Sequence, residues 1–175
     1  KLANDTLVVT TMSNIGLHVA AKEYGIDLAI TDVGDRYVIE EMKKSGHNLG
    51  GEQSGHMIFL DYNTTGDGTL SSLIVSKIVK EDGKTLSEQS ALMTTYPQVL
   101  INVDVRNEVK NKFMENDEIR TEIEKLEKLM AGTGRVLIRP SGTQPLVRVM
   151  LEGKDEGQIR ELAQELADLI KAKLS

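Results

Sequence analysis

Apolar and polar residues follow one another in two different rhythms along this chain, and the rhythm changes near position 95. Thr6–Thr11 (TLVVTT) is β-branched and apolar and predicts a buried strand. Ser13 or Asn14 then caps a helix running to about Tyr24, which Gly25 stops. Ile26–Val33 reads as a second extended segment, broken by Gly34-Asp35-Arg36. There Asp35 is either the cap of the next helix or part of a charged pair offered to a ligand, and the local pattern favours the cap. Tyr37–Ser45 predicts a helix with Gly46 as its stop. Met57–Leu60 is a short apolar run, and Asp61–Gly68 is a turn-rich loop. Thr69–Lys80 is apolar at helical spacing through Leu70, Leu73, Ile74 and Ile78. After a break at Asp82-Gly83, Thr85–Met93 is again helix-like. Strands alternating with helices predict a layered α/β domain over residues 1–94.

Thr94–Pro97 reads as a linker, because the pattern differs after it. Leu100–Arg106 alternates, with Ile101, Val103 and Val105 on one face and Asn102, Asp104 and Arg106 on the other. This is the signature of a half-buried strand in an antiparallel sheet. Glu108–Met130 reads as one charged helix with Ile119, Ile123, Leu126 and Met130 as its apolar stripe. Gly132–Gly134 turns the chain, and Arg135–Arg139 and Leu146–Glu152 form two strands. A last helix starts at Asp155 and carries Ile159, Leu162, Ala163, Leu166, Leu169 and Ile170 on one face. Residues 95–175 therefore predict a second, smaller α+β domain, with a mainly antiparallel sheet and two helices.

Charge and composition narrow the chemistry. The net charge of -6 argues against a nucleic-acid partner, which needs a basic face, though a local basic pocket could still hold a small anion. Aromatic residues make up 3% of the chain and Trp is absent, too few for base-stacking platforms. The absence of Cys removes disulfide scaffolds, zinc–thiolate sites and thiol catalysis, and fits a reducing, cytoplasmic setting. No apolar run has membrane length. The sequence opens at Lys1 in mid-pattern, which predicts a piece of a longer polypeptide.

Two stretches carry candidate chemistry. Arg139–Arg148 (RPSGTQPLVR) offers two guanidinium forks, two hydroxyls and the N–H groups of a Gly-containing turn, bracketed by Pro140 and Pro145. Guanidinium pairs bidentately with phosphate oxygens, and successive turn amides can converge on an anion. The residues alone fit either an anion cradle or an ordinary hairpin with two surface arginines. Gly50–His56 (GGEQSGH) places three glycines among Glu52, Gln53, Ser54 and His56. These groups suit vicinal sugar hydroxyls, which both donate and accept, or they decorate a plain glycine-rich bend. His56 reads as structural, as do His18 and His47. In Asp61–Gly68 (DYNTTGDG), Asp61, Asn63 and Asp67 could ligate a metal, but the loop lacks the terminal Glu and spacing of a calcium loop. Asp67 fits better as the cap of the following helix. The Glu/Lys-rich run Glu115–Lys128 is a solvated face laced with ion pairs.

Taken in order, VGDRYV (Val33–Val38), GGEQSGH (Gly50–His56), TTGDG (Thr64–Gly68) and RPSGT-x-P-x-x-R (Arg139–Arg148) resemble the α-D-phosphohexomutase superfamily over essentially the whole chain, most closely its phosphoglucosamine mutase branch. Each motif is moderately specific, and four in register are strong. The resemblance implies the third and fourth of four domains. The third is an α/β/α layer with a mixed sheet, here without its first strand and helix; the fourth has a TATA-binding-protein-like fold. It implies that Glu52 and Ser54, with Gly34 and Asp35, face the sugar. It implies that Arg139, Ser141, Gly142 and Thr143 bind phosphate, helped by Arg148. Gln53 and Asp35 stand where mannose- and glucose-acting relatives tend to carry Met and His, which favours the glucosamine branch. An anionic Asp35 beside a substrate ammonium is sound electrostatics.

The family's phosphoserine motif and its magnesium-binding aspartate loop have no counterpart here. Mg2+ and the catalytic residues therefore belong to the first and second domains of the parent, and the isolated chain is expected to be inactive. The implied parent interconverts glucosamine 6-phosphate and glucosamine 1-phosphate through a bisphosphate, supplying the UDP-N-acetylglucosamine used for peptidoglycan. A phosphomannomutase or phosphoglucomutase fragment, and a non-catalytic phosphosugar-binding module, are the alternatives. One departure stands out: Gln144 occupies a position that is usually Glu in the family's phosphate loop.

Overall fold

A computed structural model describes residues 1–174. Its backbone falls into two compact units, Lys1–Thr95 and Tyr96–Ser175.

In the first unit, β1 (Thr6–Thr10) runs through α1 (Ile15–Glu23) to β2 (Asp27–Thr31). A tight turn at Gly34 starts α2 (Asp35–Ser45), and a hairpin of β3 (Leu49–Gly51) and β4 (Met57–Phe59) follows. The helices α3 (Gly68–Asp82) and α4 (Leu86–Ser90) complete the unit. The sheet order is β2-β1-β3-β4, with β1 parallel to β2 and β3, and β3 antiparallel to β4. Successive residues of β1 point to opposite faces. Val8 thus meets Val38 and Met42 of α2 together with Ile58 of β4, and these four form the buried centre of the unit. Gly50 belongs to this packing: a Cβ there would lie 2.7 Å from Met42 Sδ and 2.8 Å from Val38 Cγ1. Asn14 caps α1, accepting from the Gly16 N–H. Asp67 caps α3, accepting from the Leu70 N–H at 3.0 Å.

The second unit is a three-stranded antiparallel sheet of β5 (Gln98–Asp104), β6 (Gly134–Pro140) and β7 (Leu146–Gly153) in the order β5-β7-β6. Two helices, α5 (Asp117–Met130) and α6 (Glu156–Leu174), cover one face. Val99, Val103, Val147, Val149 and Leu151 of the sheet pack against Ile119, Ile123 and Leu126 of α5 and Ile159, Leu166 and Ile170 of α6. Among the described residues no helix is long and apolar enough to cross a membrane.

The structure corrects several expected elements. The segment expected as one helix over Glu108–Met130 is a 3-10 segment, Lys110–Glu115, followed by α5. The break lies at Asn116. Its backbone is extended (φ -83°, ψ 118°), and its side chain accepts from the N–H groups of Glu118 and Ile119, both at 3.1 Å. Asn competes with helix continuation by making this local bond, so it starts a helix rather than extending one. Asn116→Ala is expected to cost about 1 kcal/mol in urea unfolding of this chain; an unchanged midpoint would show that the cap contributes nothing. The helix expected over Thr85–Met93 is only Leu86–Ser90, with a capping box of Thr85 and Glu88 at its start. The extended segment expected over Ile26–Val33 narrows to Asp27–Thr31. The cap of α2 is Gly34, not Asp35, which occupies the first helical position.

Candidate functional site

In the first unit the β3–β4 hairpin turns through Glu52–His56, closed by Glu52 N–H to His56 O (2.9 Å) and Gly55 N–H to Glu52 O (3.1 Å). The Glu52 carboxylate sits at the base of this loop with its side chain only 8% exposed. Its Oε2 accepts from the Gly34 N–H at 3.0 Å, tying the hairpin to the first turn of α2. A helix N-terminus favours an anion, so this is a stable place for a carboxylate. Gly34 has φ +133°, a conformation that L side chains rarely adopt, and this places its N–H at the carboxylate. Ser54 Oγ lies 3.0 Å from His56 Nδ1, and that nitrogen is 3.9 Å from Glu52 Oε1. Glu52, Ser54, His56 and Gly34 are therefore one cluster, although Gly34 is eighteen residues from Glu52 in sequence. Asp35 lies beside it, with Oδ1 accepting from the Arg36 N–H at 2.8 Å. Arg36 turns to Glu40, four residues on, in an exposed ion pair, so no Asp35–Arg36 charged pair is presented. The hairpin also borders a largely apolar hollow of about 390 Å3, walled by Leu7, Val9, Leu17 and Met57.

In the second unit the register of the sheet fixes a row of side chains. Arg139 of β6 stands opposite Arg148 of β7, and Arg148 stands opposite Asn102 of β5. These three share a face, the one opposite to Ile138, Val149 and Ile101, which belong to the helix-covered core. Four residues along the same face, Arg135 stands opposite Glu152, and Arg135 Nε meets Glu152 Oε2 at 2.5 Å. That pair is compensated, whereas the Arg139–Arg148 pair is two like charges directly opposed, which destabilises a sheet. Burial and the neighbouring Arg148 charge both push the Arg139 pKa down from its ordinary value. Arg148 Nε is buried and has no hydrogen-bond partner among the described residues.

The loop over residues 141–145 closes above this pair. Ser141 is 4% exposed, and its Oγ accepts from the Gln144 N–H at 3.2 Å. Its own N–H donates to Leu146 O at 2.9 Å. Two guanidiniums, a hydroxyl and the open turn of Gly142 and Thr143 are thus concentrated at one end of the sheet. Sequence reasoning missed Lys110, whose Nζ donates to Ser141 O (2.7 Å) and Gln144 O (3.2 Å) from the 3-10 segment. Nothing in the local pattern separates Lys110 from Lys112 two residues on.

The Asp61–Gly68 loop spends its polar groups on structure. Asp61 accepts from Asn48 Nδ2 at 2.7 Å, and Asn63 donates to Asp67 at 3.1 Å. Among the described residues no three His, Asp or Glu side chains cluster as metal ligands. The donor set present does not fit a magnesium site.

The α/β/α domain III model of phosphoglucomutase/phosphomannomutase matches residues 1–96, more than half of the chain. The chain belongs to the phosphoglucomutase/phosphomannomutase family. That family's C-terminal domain model also matches residues 100–169. The phosphoglucosamine mutase of Clostridioides difficile is 69% identical over all 175 residues, and that of a Thermoanaerobacter strain 62%. This phosphohexomutase chain spans 39% of the length of each. A crystal structure of Aspergillus fumigatus N-acetylphosphoglucosamine mutase, in complex with GlcNAc-6P and magnesium, shares the fold at a TM-score of 0.78. It has 20% identity and covers 99% of this chain and 40% of that one.

Proposed function

We propose that this chain supplies sugar recognition and phosphate binding to a phosphoglucosamine mutase, which interconverts glucosamine 6-phosphate and glucosamine 1-phosphate through a bisphosphate. The observation that carries the proposal is the opposed Arg139–Arg148 pair. Two like charges on one sheet face, one nitrogen of them buried and unpartnered, make physical sense once a dianion sits between them. The identities of 69% and 62% with phosphoglucosamine mutases support the glucosamine substrate.

In this reading residues 1–94 carry the sugar contacts. Glu52 and Ser54 bond ring hydroxyls, Gly34 fixes the Glu52 carboxylate, and Asp35 places a negative charge for the substrate ammonium. Residues 95–175 carry the phosphate contacts: Arg139 and Arg148 as forks, with Ser141, Gly142 and Thr143 as hydroxyl and amide donors. These groups position the phosphate that is not reacting. Phosphoryl transfer is mostly a matter of position and charge stabilisation, so such a grip contributes directly to rate. The phosphoserine and the magnesium that would neutralise phosphate charge belong to the rest of the parent, in the cytoplasm. The magnesium held by the Aspergillus fumigatus relative supports that assignment.

The test is isomerisation by the full-length protein with glucosamine, glucose and mannose phosphates in competition. Glucosamine 6-phosphate is expected to win by about tenfold in kcat/KM, the discrimination of about 1.4 kcal/mol that a single polar contact supplies. The 175-residue chain with magnesium serves as an inactive control. A preference for mannose or glucose would move the protein to the other branch of the family. Turnover by the isolated chain would overturn the division of labour.

A further inference from the structure

We infer that Lys110 is a positioning residue for the phosphate loop, its ammonium strapping two loop carbonyls so that the amide between them turns to the ligand side. The inference rests on the reading of the 139–148 hairpin as a phosphate cradle.

The geometry is specific. Lys110 is half-buried in the 3-10 segment before α5, thirty-one residues from Ser141 in sequence. Its Nζ donates to Ser141 O at 2.7 Å and to Gln144 O at 3.2 Å, and so spans the two ends of the four-residue turn. An ammonium has three donors and no acceptor, and here two of them are committed to main-chain oxygens. Among the described residues there is no cis peptide. In a planar trans peptide the C=O and the following N–H point in opposite directions. Drawing Ser141 C=O towards Lys110 therefore sends the Gly142 N–H away from Lys110. Gln144 precedes Pro145, so anchoring its carbonyl redirects no amide and only pins the far end of the turn. Ser141 Oγ, accepting from the Gln144 N–H at 3.2 Å, closes the same turn from inside.

The charge matters as well as the bonds. Arg139 and Arg148 already repel each other, and Lys110 adds a third positive charge to the same loop. Such an accumulation, with neutral main-chain oxygens as the Lys110 acceptors, is costly by itself and favours a bound dianion. Gln144 is consistent with this. A carboxylate at position 144 would compete with the carbonyls for the ammonium and neutralise it, whereas the amide leaves the charge available.

The experiment uses the full-length protein, with glucosamine 6-phosphate as substrate and inorganic phosphate as competitor. Lys110→Met, Lys110→Arg and Arg139→Ala are compared by KM, kcat, phosphate inhibition and melting temperature. Lys110→Met is expected to raise KM and the phosphate inhibition constant together by about tenfold, the low end of what one charge-assisted amide–phosphate hydrogen bond supplies, with kcat nearly unchanged. Lys110→Arg, which keeps the charge and several donors, is expected to restore most of both. If Lys110→Met leaves KM unchanged while Arg139→Ala raises it, the strap is wrong and the cradle stands. If Arg139→Ala also changes nothing, the cradle reading itself fails and takes this inference with it. Should Lys110→Met lower the melting temperature, phosphate inhibition is measured below the transition, where the variant is folded. A folded Lys110→Met protein whose inhibition constant is unchanged would reduce Lys110 to a structural lysine and overturn the inference.

Discussion

Replacing Arg139 by Ala in the full-length protein is expected to raise the KM for glucosamine 6-phosphate by about 10- to 150-fold, the loss of one charge-assisted bidentate contact worth about 1.5–3 kcal/mol. The side chain is anchored in a strand, opposite Arg148, so its fork is pre-positioned and little ordering remains when phosphate arrives. Its depressed pKa has burial as the first cause and Arg148 as the second. Both causes disfavour the cation, and the negative charge of a bound dianion would offset both. Even so depressed, an arginine stays protonated at neutral pH, so any pH dependence of the effect follows the second ionisation of the phosphate, at about pH 6, and not Arg139. Arg139→Lys should recover only part of the loss, because a point charge cannot reproduce two parallel N–H bonds. Removing Arg148 as well should cost less than the sum of the single losses, since each Arg relieves repulsion on the other when it is deleted. Steady-state kinetics and titration with inorganic phosphate measure both quantities. An unchanged phosphate affinity in Arg139→Ala would reject the assignment of the hairpin.

What the sequence made legible was what is encoded locally. The alternation through Ile101, Val103 and Val105 identified a strand with one buried face, and Val99 and Val103 pack against the helices as that pattern requires. Gly46 and Gly83 end their helices in the left-handed conformation, and Asp67 caps where an N-cap residue was expected. Locally encoded competition between two outcomes was harder to read. Asn116 sits inside an otherwise continuous helical pattern, and only its side chain's bonds to Glu118 and Ile119 decide that it starts a helix. Contacts between distant segments were not legible at all from spacing. The Glu52–Gly34 bond joins residues eighteen apart, and the Lys110–Ser141 bond joins residues thirty-one apart. Each requires the sheet register and a loop conformation before the partners meet. The two candidate loops were found because their residue types concentrate donors and acceptors. The supporting contacts were missed because a single Gly or Lys carries no such signal.

Glu52→Gln separates structure from recognition in the first unit, and it is expected to lower kcat/KM for the sugar phosphate by about 10- to 150-fold while leaving stability within about 1 kcal/mol. Gln keeps the shape of Glu and keeps one carbonyl oxygen, so the Gly34 N–H that Oε2 now receives at 3.0 Å retains an acceptor. What is lost is the charge and one acceptor oxygen, replaced by an NH2 that cannot receive a sugar hydroxyl's proton. A hydrogen bond to a charged group is roughly twice as strong as a neutral one, and the side chain is largely out of water, which places the loss in that range. Glu52→Ala should behave differently. It strands the Gly34 N–H at the start of α2 and should cost about 1–3 kcal/mol of stability in addition to activity. Thermal unfolding and kinetics on the two variants give the comparison. If Glu52→Gln keeps full activity and Glu52→Ala loses stability alone, then Glu52 only staples the hairpin to α2. The sugar would then be recognised elsewhere on the hairpin, with Ser54 and His56 as the remaining polar groups of the cluster.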